Sequence, residues 1–231
     1  DDALDSLRRA LQLIRINDGL HSPNQLPLLR RLIALFRQET AYGMLGDAYS
    51  YYYRVSGLGT EPLTADRIDA ALEYLDWERE LYASRQDGAQ RHHLLRAYEA
   101  NRSMLKAAEN AEREVYLRLA MSQLRNLYLI LGDRPMELSM AEAANREKKL
   151  AAIQRMAYSK GLALLQECIV RSDEASLEQL AEIHLELGDW QQWNGKLRSA
   201  REQYAKVVEL MERAGDDEQL AQWFDQPVEL P

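Results

Sequence analysis

Apolar side chains recur along this chain at intervals of three and four residues, and polar turn-formers cut the recurrence into segments. Leu4, Leu7, Leu11 and Ile14 line one face of a helix over residues 3–17, which Asn17-Asp18-Gly19 ends. Ser22-Pro23-Asn24 restarts the chain. Leu28, Leu29, Leu32, Ile33 and Phe36 then form a second stripe, broken near Glu39-Thr40. An aromatic helix follows through Tyr49 to Val55. Residues 56–62 hold two glycines and a proline and predict a loop. Thr64 is a suitable N-cap for a helix that carries Ile68, Ala71, Leu72, Leu75 and Tyr82 and stops before an Asp87-Gly88 turn.

From Ala89 to Leu131 there is no Gly or Pro. One long helix fits, but two helices meeting at a polar turn near Asn110 fit better, the second bearing Leu117, Ala120, Met121, Leu124, Leu127, Tyr128 and Leu131. Gly132-Asp133-Arg134-Pro135 stops it. A further helix places Leu150, Ile153, Ala157, Gly161, Leu164 and Cys168 on one stripe. Composition agrees with an all-α fold, because Gly (11) and Pro (6) are scarce and Glu, Gln, Leu, Ala and Arg dominate.

Residues 181–214 resemble a tetratricopeptide (TPR) motif. Ala181, His184, Leu187 and Gly188 stand where that family prefers a small residue, a large aromatic, Leu and Gly. Gly195 sits at the turn, and Leu197, Ala200, Tyr204 and Val207 take the second-helix positions. His184 and Gln191 replace the family's usual Trp and Tyr, and no Pro follows Ala214. The resemblance implies an antiparallel hairpin in which small residues admit close helix approach, Ala200 against Gly188 being one such contact. Leu-Gly-Asp recurs at 45–47, 131–133 and 187–189, at separations that are not multiples of the ~34-residue TPR period. The implied fold is therefore an all-α, TPR-like α-solenoid of about four irregular antiparallel hairpins over residues 1–215, since roughly three are needed for stability. Residues 216–231 are expected to form an acidic tail, with Trp223 to Pro231 leaving the last helix on an extended path toward a downstream segment.

In that family the first helix of each hairpin lines the concave groove, so the resemblance assigns groove positions to Glu182, Leu185, Asp189, Gln192 and Trp193. A Trp beside carboxylates and an amide suits an extended basic or aromatic peptide. The alternative is that Trp193 packs on the next hairpin or on the tail. Tyr49, Tyr51, Tyr52 and Tyr53 cannot all face one core, because successive helix residues point in different directions. Tyr51 and Tyr53 are the candidate contacts. Arg91, His92, His93, Arg96 and Arg102 read as a solvated face paired with nearby acids, an acidic ligand or lipid headgroup being the alternative, and adjacent histidines chelate a metal poorly.

A net charge of -8 disfavours nucleic acid, whose affinity comes mostly from Lys and Arg. The longest apolar runs fall far short of the ~20 residues that span a bilayer. No nucleophile with a base, phosphate loop or metal-binding helix motif occurs, and the lone Cys168 lies on an apolar stripe. The expectation is thus a protein that binds a protein or peptide partner without enzymatic activity, cofactor or metal. Self-association as a structural scaffold, or service as a helical domain beside a functional one, are the alternatives. Asp1 in place of Met fits a trimmed chain or a mature form after signal-peptide removal, and the second places it in the periplasm or cell envelope. The tail and residues 16–32 also resemble bacterial cell-envelope TPR proteins.

Overall fold

Stripes of this kind are stable only when each is covered by a neighbour, and adjacent helices supply such cover within each half of the chain. The computed structural model describes residues 2–39, 41–57, 64–84, 89–132, 140–172 and 176–225. Among them the regular structure is all helical. The α-helices are α1 (Asp2–Asp18), α2 (Leu26–Gln38), α3 (Tyr42–Val55), α4 (Ala65–Ser84), α5 (Gln90–Ala107), α6 (Arg113–Gly132), α7 (Met140–Arg171), α8 (Leu177–Trp193), α9 (Leu197–Ala214) and α10 (Asp217–Asp225), with a short 3-10 turn at Pro23–Gln25. The expectation of two helices meeting near Asn110 holds. The Asp87-Gly88 turn, the stop at 133–135 and the end of the tail at 226–231 lie outside the described residues.

The chain divides into two compact units between residues 122 and 123, inside α6. In the first unit each of α1 to α4 packs on its successor. Leu29, Ile33, Phe36, Leu45, Tyr52, Ile68, Leu75 and Trp77 are buried in one continuous core. Tyr49 stacks on Trp77 with ring centroids 5.0 Å apart, and Tyr53 stacks on Tyr74 at 4.5 Å. Ion pairs rim this core: Arg30 with Glu73 at 2.8 Å, Arg37 with Glu80 at 2.6 Å, and Arg118 with Asp69. All are substantially exposed, so each contributes at most about 1 kcal/mol.

In the second unit α8 packs on α7 and on α9. A three-residue connection joins α8 to α9, with Gly195 at φ 71, where the lack of a Cβ removes the usual steric cost. Ser176 caps α8 by accepting from the Gln179 amide at 3.2 Å. The two helices run antiparallel: Ala181 shares a core with Val207, Leu210 and Met211, while Gly188, nearer the turn, meets the ring of Tyr204. The residue facing Gly188 is thus Tyr204, where Ala200 was expected. A flat ring fills a Cβ-free notch more completely than a methyl group.

A second notch holds the fully buried Trp190. Its ring lies directly over Gly161 of α7, its Nε1 donates to the Tyr158 carbonyl at 3.2 Å, and it meets Tyr128 edge-on at 4.7 Å. The buried stripe of α7 is Ala157, Gly161, Leu165 and Cys168, whereas Ile153, expected on it, is 44% exposed. The tail expectation is also corrected at its start. Trp223 and Phe224 lie in α10, with Trp223 packed on the α8–α9 core and Phe224 edge-on to Tyr204 at 6.1 Å.

A Cβ added at Gly161 overlaps Trp190 Cζ2 and Cε2, whereas one added at Gly46 of α3 meets open space. Gly161→Ala is expected to destabilise by about 1–3 kcal/mol through overpacking. Gly46→Ala is expected to stabilise by about 0.5–1 kcal/mol through helix propensity. Urea unfolding of the two variants should move the midpoint in opposite directions.

Candidate functional site

The expected contact face on α8 is only partly open. Glu182 and Gln192 are exposed, and Trp193 is 42% exposed with its edge toward Tyr128 at 6.3 Å. Trp193 therefore meets α6, where the sequence offered the next hairpin or the tail. Leu185 is half-buried and supports the α8–α9 core. Asp189 is engaged within the hairpin, because the Tyr204 hydroxyl lies 2.7 Å from its Oδ1 and 3.2 Å from Gln192 Oε1. Burial raises the Asp189 pKa against the opposing effect of that bond, and burial with Asp189 and Glu182 nearby raises that of Glu186 against Arg125.

The tyrosines of α3 divide by helical angle. Tyr49 and Tyr52 are buried, and Tyr51 and Tyr53 are half-buried. Tyr53 faces Tyr74 within the core. Tyr51 faces the other way, onto α1. Its hydroxyl lies 2.8 Å from both the Leu20 carbonyl and Gln25 Oε1 and shares its one proton between them. Arg15 sits over the Tyr51 ring at 4.5 Å and donates through Nε to Gln25 Oε1 at 3.1 Å.

Beside this clasp an open groove of about 520 Å³ runs between α1 and α3 over α2. Leu11, Leu29, Leu32, Phe36 and Ala48 form its apolar floor. Arg8, Gln12 and Arg15 make the α1 wall, and Met44, Asp47 and Tyr51 the α3 wall. A concave apolar floor with a few polar groups on its rim is the usual make-up of a ligand site. Of the residues expected from sequence, only Tyr51 lines it. Arg8, Gln12 and Arg15 went unnoticed, although their i, i+4, i+7 spacing beside the Leu7 and Leu11 stripe places them at the edge of a buried face.

The basic run of α5 is corrected in part. Arg102 does pair with Glu99 at 3.2 Å on the surface. His93, by contrast, is buried, with Nδ1 2.6 Å from Oε2 of the buried Glu78, whose Oε1 accepts from Arg96 at 3.0 Å. This cluster ties α5 to α4, and the bonds from His93 and Arg96 help compensate the lost hydration of Glu78. Among the described residues no group of three or more His, Cys, Asp or Glu is placed to hold a metal ion. Cys168 is buried, and that burial pushes its thiol pKa up to about 12, so it is not a ready nucleophile. No described helix is long and apolar enough to cross a membrane. No protein-family model and no curated protein matches the sequence.

His184 shows how the α8–α9 hairpin responds to acid. Burial lowers its pKa from the ordinary 6.5, the bond between Nδ1 and Gln203 Oε1 at 2.8 Å opposes the shift, and Lys206 adds to it. The unfolded chain thus takes up a proton at higher pH than the folded one. Stability is full above the unfolded value and declines as pH falls through about 6.5, by no more than about 1.4 kcal/mol per pH unit for this group. His184→Gln, which can still donate to Gln203, should flatten this part of the profile. Subtracting the two pH profiles of chemical denaturation isolates the effect from the raised carboxylates Glu186 and Asp189, which act in the opposite direction.

Proposed function

We propose that the protein is a TPR-like array of helical hairpins that binds a peptide segment of another protein and performs no turnover. The observation that supports this most directly is the groove between α1 and α3. Its floor offers apolar burial at about 25 cal/mol per Å² removed from water. Its rim offers two guanidinium groups, a carboxylate, an amide and the Tyr51 ring. That set can orient a ligand, and Tyr and Arg are residues that dominate binding energy at protein interfaces. It lacks the nucleophile, base and oriented third group of covalent catalysis.

The TPR-like assignment is supported by the α8–α9 hairpin, where the family's small-and-large pattern finds a physical use in Gly188 and Tyr204. The exposed side of α8, with Glu182, Gln192 and Trp193, is a second and shallower contact face. Groove and face are separable by mutation.

Gln12 and Met44 are exposed on opposite walls of the groove, so Gln12→Trp with Met44→Trp closes its mouth without touching the core. In random-peptide display on immobilised protein, the wild type should enrich peptides and the doubly blocked variant should lose at least about tenfold of that enrichment, at unchanged helical circular dichroism. Enrichment that survives blocking, and falls instead with Glu182→Ala and Trp193→Ala, moves the site to α8.

A scaffold role is the second reading, favoured by Leu13 at 61% and Ile16 at 70% exposure on the side of α1 away from the core. Two such side chains three residues apart form an apolar edge suited to self-association. Sedimentation should then show concentration-dependent dimers that Leu13→Glu with Ile16→Glu abolishes; a wild type that stays monomeric at high concentration sinks this reading.

A further inference from the structure

We infer that the peptide held in the α1–α3 groove is acidic, carrying carboxylate side chains beside the apolar residues that fill the floor. This rests on the peptide-binding role proposed for the same groove. The chain as a whole carries a net charge of -8 and repels acidic ligands at long range. The α1 wall has the opposite sign: Arg8 and Arg15 point the same way along the helix with the neutral Gln12 between them. Seven residues at 1.5 Å each separate the two guanidinium stems by about 10.5 Å. Two carboxylates three residues apart match that distance on one face of a peptide in the polyproline II conformation, which has three residues per turn and rises about 3.1 Å per residue.

Both cations retain capacity for a ligand. Arg15 is held in place by its Nε bond to Gln25 and by the Tyr51 ring, which leaves its two terminal nitrogens without a hydrogen bond among the described residues. A guanidinium already fixed loses little freedom when it forms a two-pronged bond with a carboxylate. Arg8 reaches only Asp5, at 4.0 Å with both side chains more than half exposed, a weak contact that a better-placed carboxylate displaces. On the opposite wall stands a single carboxylate, Asp47. The acidic side of the peptide therefore lies along α1, and Asp47 excludes it from α3.

Random-peptide display tests this with three proteins side by side: the wild type, Arg8→Glu with Arg15→Glu, and the groove blocked by Gln12→Trp with Met44→Trp. On the wild type, recovered peptides should be enriched in Asp and Glu flanking apolar residues, and their binding should fall as salt is raised. On the charge-reversed protein those peptides should bind about tenfold more weakly, and selection should turn to Lys and Arg. Arg8→Glu alone, at an exposed position, keeps the test valid if Arg15→Glu disturbs the Gln25 clasp. Peptides that require an open groove but show no acidic enrichment, or that ignore the charge reversal, overturn the inference and leave the groove intact. Peptides that bind the blocked protein equally well overturn the groove itself.

Discussion

The amide of Gln25 holds the first three helices in register, and the groove exists because it does. The side chain is completely buried. Its Nε2 donates to the Leu20 carbonyl at 2.9 Å, and its Oε1 takes the Arg15 Nε and shares the Tyr51 hydroxyl proton with the Leu20 carbonyl. An amide left unpaired in such a place costs roughly 1–3 kcal/mol, so every member of the set constrains the others. One residue in the turn before α2 thereby fixes α1 on one side and α3 on the other. The walls are pinned at the end where Tyr51 and Arg15 meet, and the small side chain of Ala48 leaves space on the floor.

The second unit is organised by shape instead of polarity. Trp190 and Tyr204 are broad rings, and each is accommodated by a glycine on a neighbouring helix, Gly161 and Gly188 respectively. Their polar atoms are paired too, Trp190 to a backbone carbonyl of α7 and Tyr204 to Asp189. These two contacts make α8 the central element of its unit, covered by α7 on one side and α9 on the other. They also explain why little of α8 is left for a partner: the Asp189 carboxylate is already engaged, Leu185 supports the core, and Trp193 keeps less than half of its surface.

Buried charge follows the same economy. Glu78 is withdrawn from water between α4 and α5, yet His93 and Arg96 each supply a hydrogen bond to one of its oxygens. In the sequence those two residues look like members of one basic run with Arg91, His92 and Arg102. They stand apart because α4 brings the Glu78 carboxylate against them.

Helix positions, the turn near Asn110 and the small-and-large pattern of residues 181–214 follow from the sequence alone, because periodicity and Gly or Pro placement act over a few neighbouring residues. The same local logic says that among four clustered tyrosines some must leave the core. It cannot say that Tyr51 turns toward Leu20 and Gln25, since the partner is 26 to 31 residues away in the chain. Nor does it mark a division inside α6, where no Gly or Pro interrupts a continuous helix. The groove is the clearest case. Arg8, Gln12 and Arg15 are ordinary exposed-looking residues in α1, and Met44 and Asp47 are equally ordinary in α3; only the angle at which α1, α2 and α3 pack makes them two walls of one site. That angle is set by contacts between distant side chains, and tertiary structure alone decides it.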